Sequence, residues 1–259
     1  MSRPPAWCAS TGGDTLPPVP RVLTRLVVVL VVLLVILIAA DRVGVVLASR
    51  AVGQGLTTSE RLTAPASVSF PDIPFLTQAA AGRYGTVDVT MEGLPTTAGV
   101  VIDRVDATLH GVSAPTSALL RGQVRSLAVD QGDAVAFVSF HNLELAGRQK
   151  LGNAVQNLVL GQATSGNRVA LSASVRSLIG TVTVRGQVEL AVTKGQVTVR
   201  LLPQTLTGIP VALRTQVANL VDLTALAPAL PFGLRVSAVT VEPSGLRVHA
   251  SGTTMTIPI

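Results

Sequence analysis

Residues 181–201 read TVTVRGQVELAVTKGQVTVRL. Val182, Val184, Val188, Leu190 and Val192 fall on one side of an extended chain, and Thr181, Thr183, Arg185, Gln187, Glu189 and Thr193 on the other. A side-chain period of two is the signature of a strand. Lys194-Gly195 then supplies a two-residue turn, and Val197, Val199 and Leu201 continue as the returning strand. Apolar-in, polar-out alternation implies a sheet with one dry and one wet face, the usual mark of antiparallel pairing.

The same alternation recurs outward from this hairpin. It is present at 66–70, at Val87, Val89 and Met91, at Val101, Val105, Ala107 and Leu109, and as two further stretches at 124–130 and 134–140. A second hairpin is expected at Leu234–Glu242 and Leu246–Ser251, joined by Pro243-Ser244-Gly245. Helical spacing marks 42–63, 142–160 (Leu151, Val155, Leu158, Val159) and 213–226 (Leu213, Val217, Leu220, Val221). The pattern predicts one α+β domain over 41–259, a mostly antiparallel, curled β-sheet packed around one or two helices.

Ahead of this body, residues 26–40 are apolar without exception. As a helix, Val22–Ala40 spans about 28 Å, close to the hydrocarbon thickness of a bilayer. Residues 1–21 hold Pro4, Pro5, Pro17, Pro18 and Pro20 and read as a disordered cytoplasmic tail. Arg21 and Arg25 precede the run, and Arg42 and Arg50 follow it, so the positive-inside count is tied. The short tail, the abutting arginines and Asp41 at the far end favour the N-terminus inside. Length alone leaves an uncleaved anchor and a signal peptide cut after Ala40 both open. The expectation is a single-pass anchor in the cytoplasmic membrane at 22–40, with the body facing the periplasm or cell envelope.

Composition narrows the chemistry. The formal net charge is +6, of which the first forty residues carry +2, leaving a mildly basic body suited to an anionic surface such as phospholipid headgroups. The arginines are scattered singly and do not interleave with the few aromatic rings, which argues against nucleic acid. The lone Cys8 rules out an internal disulfide. His110, His141 and His249 lack metal-ligand spacing, and Asp103 and Asp106, three apart in a strand, lie on opposite faces. No phosphate loop or nucleophile elbow occurs. Neither an enzyme nor a cofactor is expected.

The distinctive stretch is Asp72-Ile73-Pro74-Phe75-Leu76-Thr77-Gln78, with Gly82 and Tyr84 behind it. Leu230-Pro231-Phe232-Gly233-Leu234-Arg235-Val236 and Gly245-Leu246-Arg247-Val248, then Gly252, close the chain. In order and spacing these segments resemble the LmeA-type phospholipid-binding proteins of the actinobacterial cell envelope, with Asp72-Ile73 standing where that family has Gly-Phe. The resemblance implies a membrane-associated, periplasm-facing phospholipid binder, inositol phospholipid being one candidate ligand, with a supporting role in envelope lipoglycan maintenance. On that reading Phe75, Leu76 and Tyr84 sit near the mouth of an apolar cavity. On the residues alone, Phe75 instead plugs the core at a strand-to-helix corner. The alternative function is a structural or interaction protein of the envelope with a closed core and no ligand.

Overall fold

In the computed structural model, residues 21–59, 64–96, 99–114, 126–152, 155–164, 166–177, 180–211 and 234–258 are described. The chain divides into two compact units, 1–40 and 41–259. A long helix, α1 (Arg21–Ser59), contains a segment, Val29–Gln54, long and apolar enough to cross a membrane, with mean hydropathy 2.7. Its side chains from Val29 to Ile38 are exposed.

The body is α+β and antiparallel. β1 (Ser67–Ser69), β2 (Arg83–Pro95), β3 (Val101–Ser113), β4 (Ser126–Ser139), β9 (Arg235–Glu242) and β10 (Gly245–Pro258) form one sheet in the order β1-β2-β3-β4-β10-β9. β5 (Val155–Gln162), β6 (Arg168–Ser177), β7 (Gly180–Thr193) and β8 (Gln196–Leu201) form a second, in sequential order. α2 (Phe75–Ala81) lies between β1 and β2, and α3 (Phe140–Leu151) links the two sheets. The expected hairpins are both present: Val192 faces Val197 across one turn, and Leu246 faces Val241 across the other.

Three sequence expectations are revised. Within the stretches at 124–130 and 134–140, the described residues 126–130 and 134–139 belong to one continuous strand, β4, because Gly132 passes between them in unbroken register with Leu109 and Gly252. The helix expected over 142–160 ends at Leu151, and Leu158 and Val159 lie in β5. There Leu158 packs against α3, where a Cβ on Gly147 would meet its side chain, while Val159 points outward. Two adjacent apolar residues fit a helix stripe equally well, so spacing alone misreads them. The curled sheet proves to be two sheets rather than one. The expected helix at 213–226 lies outside the described residues.

α3 starts where it does because of polar side chains. Ser139 accepts from the Asn142 N–H as an N-cap, and Asp103 in turn accepts from the Ser139 N–H (2.6 Å) and Oγ (3.1 Å). Arg148 and Lys150 occupy the last turn, where the helix dipole favours cations.

The two dry faces meet in a core of Phe140, Val169, Leu190, Val239 and Val241. One side chain stitches the sheets together at this seam. Asn167 donates through Nδ2 to the carbonyls of Leu190 (3.2 Å) and Val239 (2.8 Å) and accepts from the Val241 N–H at 2.8 Å. Gln162 adds a bond to the Val241 carbonyl, and the Val236 N–H donates to Gly195 O. Asn167→Ala strips three partners from part-buried backbone groups, and each unsatisfied group costs about 1–3 kcal/mol. The variant is expected to lose about 2–4 kcal/mol in urea unfolding, whereas the surface change Asn157→Ala should leave the midpoint unmoved.

Candidate functional site

The corner singled out in the sequence is built from three aromatic rings. Phe70 follows β1, Phe75 opens α2 and Tyr84 lies in β2. Their ring centroids are 5.2 Å (Phe70–Phe75), 5.4 Å (Phe70–Tyr84) and 5.8 Å (Phe75–Tyr84) apart, all tilted, within the range in which aromatic pairs attract. Pro74 sits at the N-cap of α2 and cannot cap it with a side chain. Asp41 of α1 does so instead, accepting from the Leu76 N–H at 2.8 Å. That carboxylate is only 4% exposed, with Arg42 placed 3.4 Å from its other oxygen. Gly82 ends α2 with φ 65°, and its N–H returns to Ala79 O. This left-handed position suits glycine.

The α1 helix closes over this corner. A Cβ on Gly44 would lie 3.3–3.5 Å from the side chains of Leu76 and Phe75. One turn pair further on, a Cβ on Gly53 would stand 2.5 Å from the Ala66 carbonyl, and Thr57 Oγ1 accepts from the Ala66 N–H. Helix and first strand thus approach at distances that only glycine permits.

Phe75 and Tyr84 are thus in ring contact and Leu76 follows Phe75 in α2, but the three face different surroundings. Phe75 is 5% exposed and fills the corner, whereas Leu76 is 36% exposed and neighbouring Ile73 71%. Tyr84 is half-buried, and desolvation pushes its phenol above the ordinary value.

A second feature escapes the linear sequence. On the dry face of the six-stranded sheet, Ala107 pairs with Ala134 and Ala134 with Ala250. Ala136, two residues along β4, faces Val105 and Val248. These alanines lie between two core clusters, one of Val68, Val87, Val89, Val112, Val129 and Met255, the other the inter-sheet core. A methyl between valines, leucines and methionines on a pleated face makes a low track. Ala107, Ala134 and Ala136 are only half-buried. Both clusters are fringed by further apolar side chains that are partly buried, among them Met91, Leu109, Leu127, Leu246 and Val248. Among the described residues the dry face thus carries a half-buried track of small side chains between two clusters of larger ones.

The wet face of the same sheet is chemically opposite. A cleft of about 340 Å³ is lined by Arg104, Asp106, Val135, Phe137, Glu242, Ser244 and Arg247. Arg104 makes a bidentate pair with Asp106, both bonds at 2.8 Å, and reaches Glu92 at 3.5 Å. Arg247 pairs with Glu242 through Nε and Nη2 and lies 5.9 Å from the centre of the Phe137 ring. The guanidinium hydrogen bonds hold Asp106 and Glu242 below the usual carboxylate range. Asp88 and Asp133 add negative charge to this face, accepting from Thr108 and Gln131. The two arginines of the cleft are thus committed to carboxylates, and the cleft is a poor host for a phosphate. Among the described residues no group of three or more His, Cys, Asp or Glu is placed to hold a metal ion.

An antiparallel α+β body with a half-buried apolar track between core clusters, preceded by a helix long and apolar enough to cross a membrane, is the kind of architecture that suits a lipid-handling module. Comparison with known families gives the same answer. The LmeA-like phospholipid-binding family matches residues 39–251, and the chain belongs to that family. No curated protein and no solved structure matches the chain significantly.

Proposed function

We propose that this is a non-enzymatic phospholipid-binding protein of the cell envelope, held at the membrane by the apolar part of α1. The acyl chains lie along the alanine trough of the six-stranded sheet. The observation that carries this reading is the half-buried, small-residue apolar track in a member of a phospholipid-binding family. Each buried CH₂ contributes about 0.8 kcal/mol, so two acyl chains hold a lipid without any polar motif. The body faces the periplasm, inositol phospholipid is the candidate ligand, and the role is support of envelope lipid and lipoglycan maintenance.

The test is mass spectrometry of organic extracts of the full chain, after exhaustive detergent exchange has removed loosely associated lipid. Phospholipid near one equivalent per chain, enriched in one headgroup over the membrane average, is the expected result. A clean extract from folded protein would favour the ligand-free interaction protein instead.

A further inference from the structure

The cations that the sequence scatters singly are gathered by the fold. In the second sheet, Arg168 pairs in register with Glu189, Glu189 with Arg200, and Ser172 with Arg185. Since Val188, Leu190 and Val192 point into the core, Arg168, Arg185, Glu189 and Arg200 all lie on the outer face. Glu189 is the face's single carboxylate among the described residues, and Arg168 already occupies it at 3.6 Å. Arg185 and Arg200 are exposed and have no carboxylate partner among the described residues. Lys194 stands exposed on the β7–β8 turn, and Arg235, which belongs to β9 of the other sheet, passes beside Gly195 of that turn. Around these cations the face is Thr181, Thr183, Thr193 and Gln196, all exposed. β5 adds Val159, an apolar side chain 57% exposed, opposite Ser172 in register.

We propose that this outer face of β5-β6-β7-β8 is a docking surface for an anionic phospholipid bilayer. The inference rests on the phospholipid reading above and adds to it the side of the body that meets the membrane. Charge decides between the two available faces. The strands of the six-stranded sheet expose six carboxylates (Asp88, Glu92, Asp106, Asp130, Asp133, Glu242) against four arginines, three of which (Arg83, Arg104, Arg247) are already paired, so an anionic surface meets net negative charge there. The four-stranded sheet presents unpaired cations and one apolar side chain to lie among headgroups. Each basic residue near an anionic leaflet contributes roughly fivefold in partitioning, and the attraction is screened by salt.

The test uses the full chain reconstituted in vesicles, in a Cys8→Ser background. A fluorophore is placed either at Thr183→Cys on the basic face or at Gln131→Cys on the acidic face. A headgroup-bound quencher then reports which face approaches the bilayer. In phosphatidylglycerol-rich vesicles the Thr183 label is expected to be quenched several-fold more than the Gln131 label. The preference should vanish in pure phosphatidylcholine and weaken at high salt. Arg185→Glu with Arg200→Glu should abolish it, and the milder Arg185→Gln with Arg200→Gln should shift the docked population by roughly twentyfold. Equal quenching of the two labels, or quenching indifferent to both double variants, overturns the proposal. Lipid content of the same preparations keeps the two readings apart. Normal bound lipid with no face preference rejects the docking face alone, whereas absence of bound lipid from the unmodified chain rejects the reading beneath it.

Discussion

Replacing Ala134 by Phe is expected to empty the protein of phospholipid while leaving it folded. Ala134 sits at the centre of the trough, flanked in register by Ala107 and Ala250. A phenyl ring there occupies the volume of several methylenes of an acyl chain. Excluding about three of them removes roughly 2 kcal/mol of burial, close to a thirtyfold loss of affinity. The expected measurement is a fall of bound lipid to a few per cent of the unmodified level, with an unchanged circular dichroism spectrum. Ala107→Leu, a smaller intrusion on the neighbouring strand, should produce an intermediate loss and guards against misfolding of the larger variant. Ala191→Phe, on the outer face of β7 and away from the trough, should leave bound lipid content unchanged. Full lipid occupancy in folded Ala134→Phe would mean that the acyl chains lie elsewhere.

The second large effect is on stability. Phe75→Ala removes the most buried ring of the corner, against Phe70 and Tyr84. Truncation of a buried Phe typically costs about 3–5 kcal/mol. In a body of this size each kcal/mol lowers the thermal midpoint by about 2–4 °C, so a drop of roughly 6–20 °C is expected. Leu76→Ala, one residue away and partly exposed, should cost under about 1 kcal/mol. Similar midpoints for the two variants would show that the aromatic corner is not part of the core. The contrast also governs how lipid experiments are designed. Phe75→Asp confounds loss of ligand with loss of the corner, whereas Leu76→Asp and Ile73→Asp probe the exposed surface alone.

Much of the architecture was legible because alternation is a local property. Val182 to Val192 and Val197 to Leu201 announce their hairpin within twenty residues, and the antiparallel α+β class follows from repeated examples. The division into two sheets was not legible. It depends on Asn167, an ordinary polar residue in sequence, reaching backbone groups of β7 and of β9, the latter more than seventy residues further on. The alanine trough was hidden for a related reason. Ala107, Ala134 and Ala250 are unremarked singly, and only strand register makes them neighbours. Charge behaved likewise: Arg168, Arg185 and Arg200 are dispersed along the chain, but strand parity and pairing put them on one face. At the corner, the sequence grouped Phe75, Leu76 and Tyr84 but left open whether Phe75 plugs the core or lines the mouth of a cavity. That depends on Asp41 and Gly44, contributed by a helix the sequence read chiefly as a membrane element.

The position of β10 has a consequence for how the protein is made. Residues 245–258 lie between β4 and β9, so the six-stranded sheet has no continuous interior until its last-synthesised strand arrives. Leu246 meets Val138 and Ile257 meets Leu127, partners more than a hundred residues apart in the chain. Contacts of such separation pay their loop-closure entropy late and fold slowly. During synthesis β1 to β4 wait with an open edge at β4 while the entire second sheet is made. The central pairing of the first sheet is therefore completed only after every strand of the second has been made, so the two sheets must finish folding together.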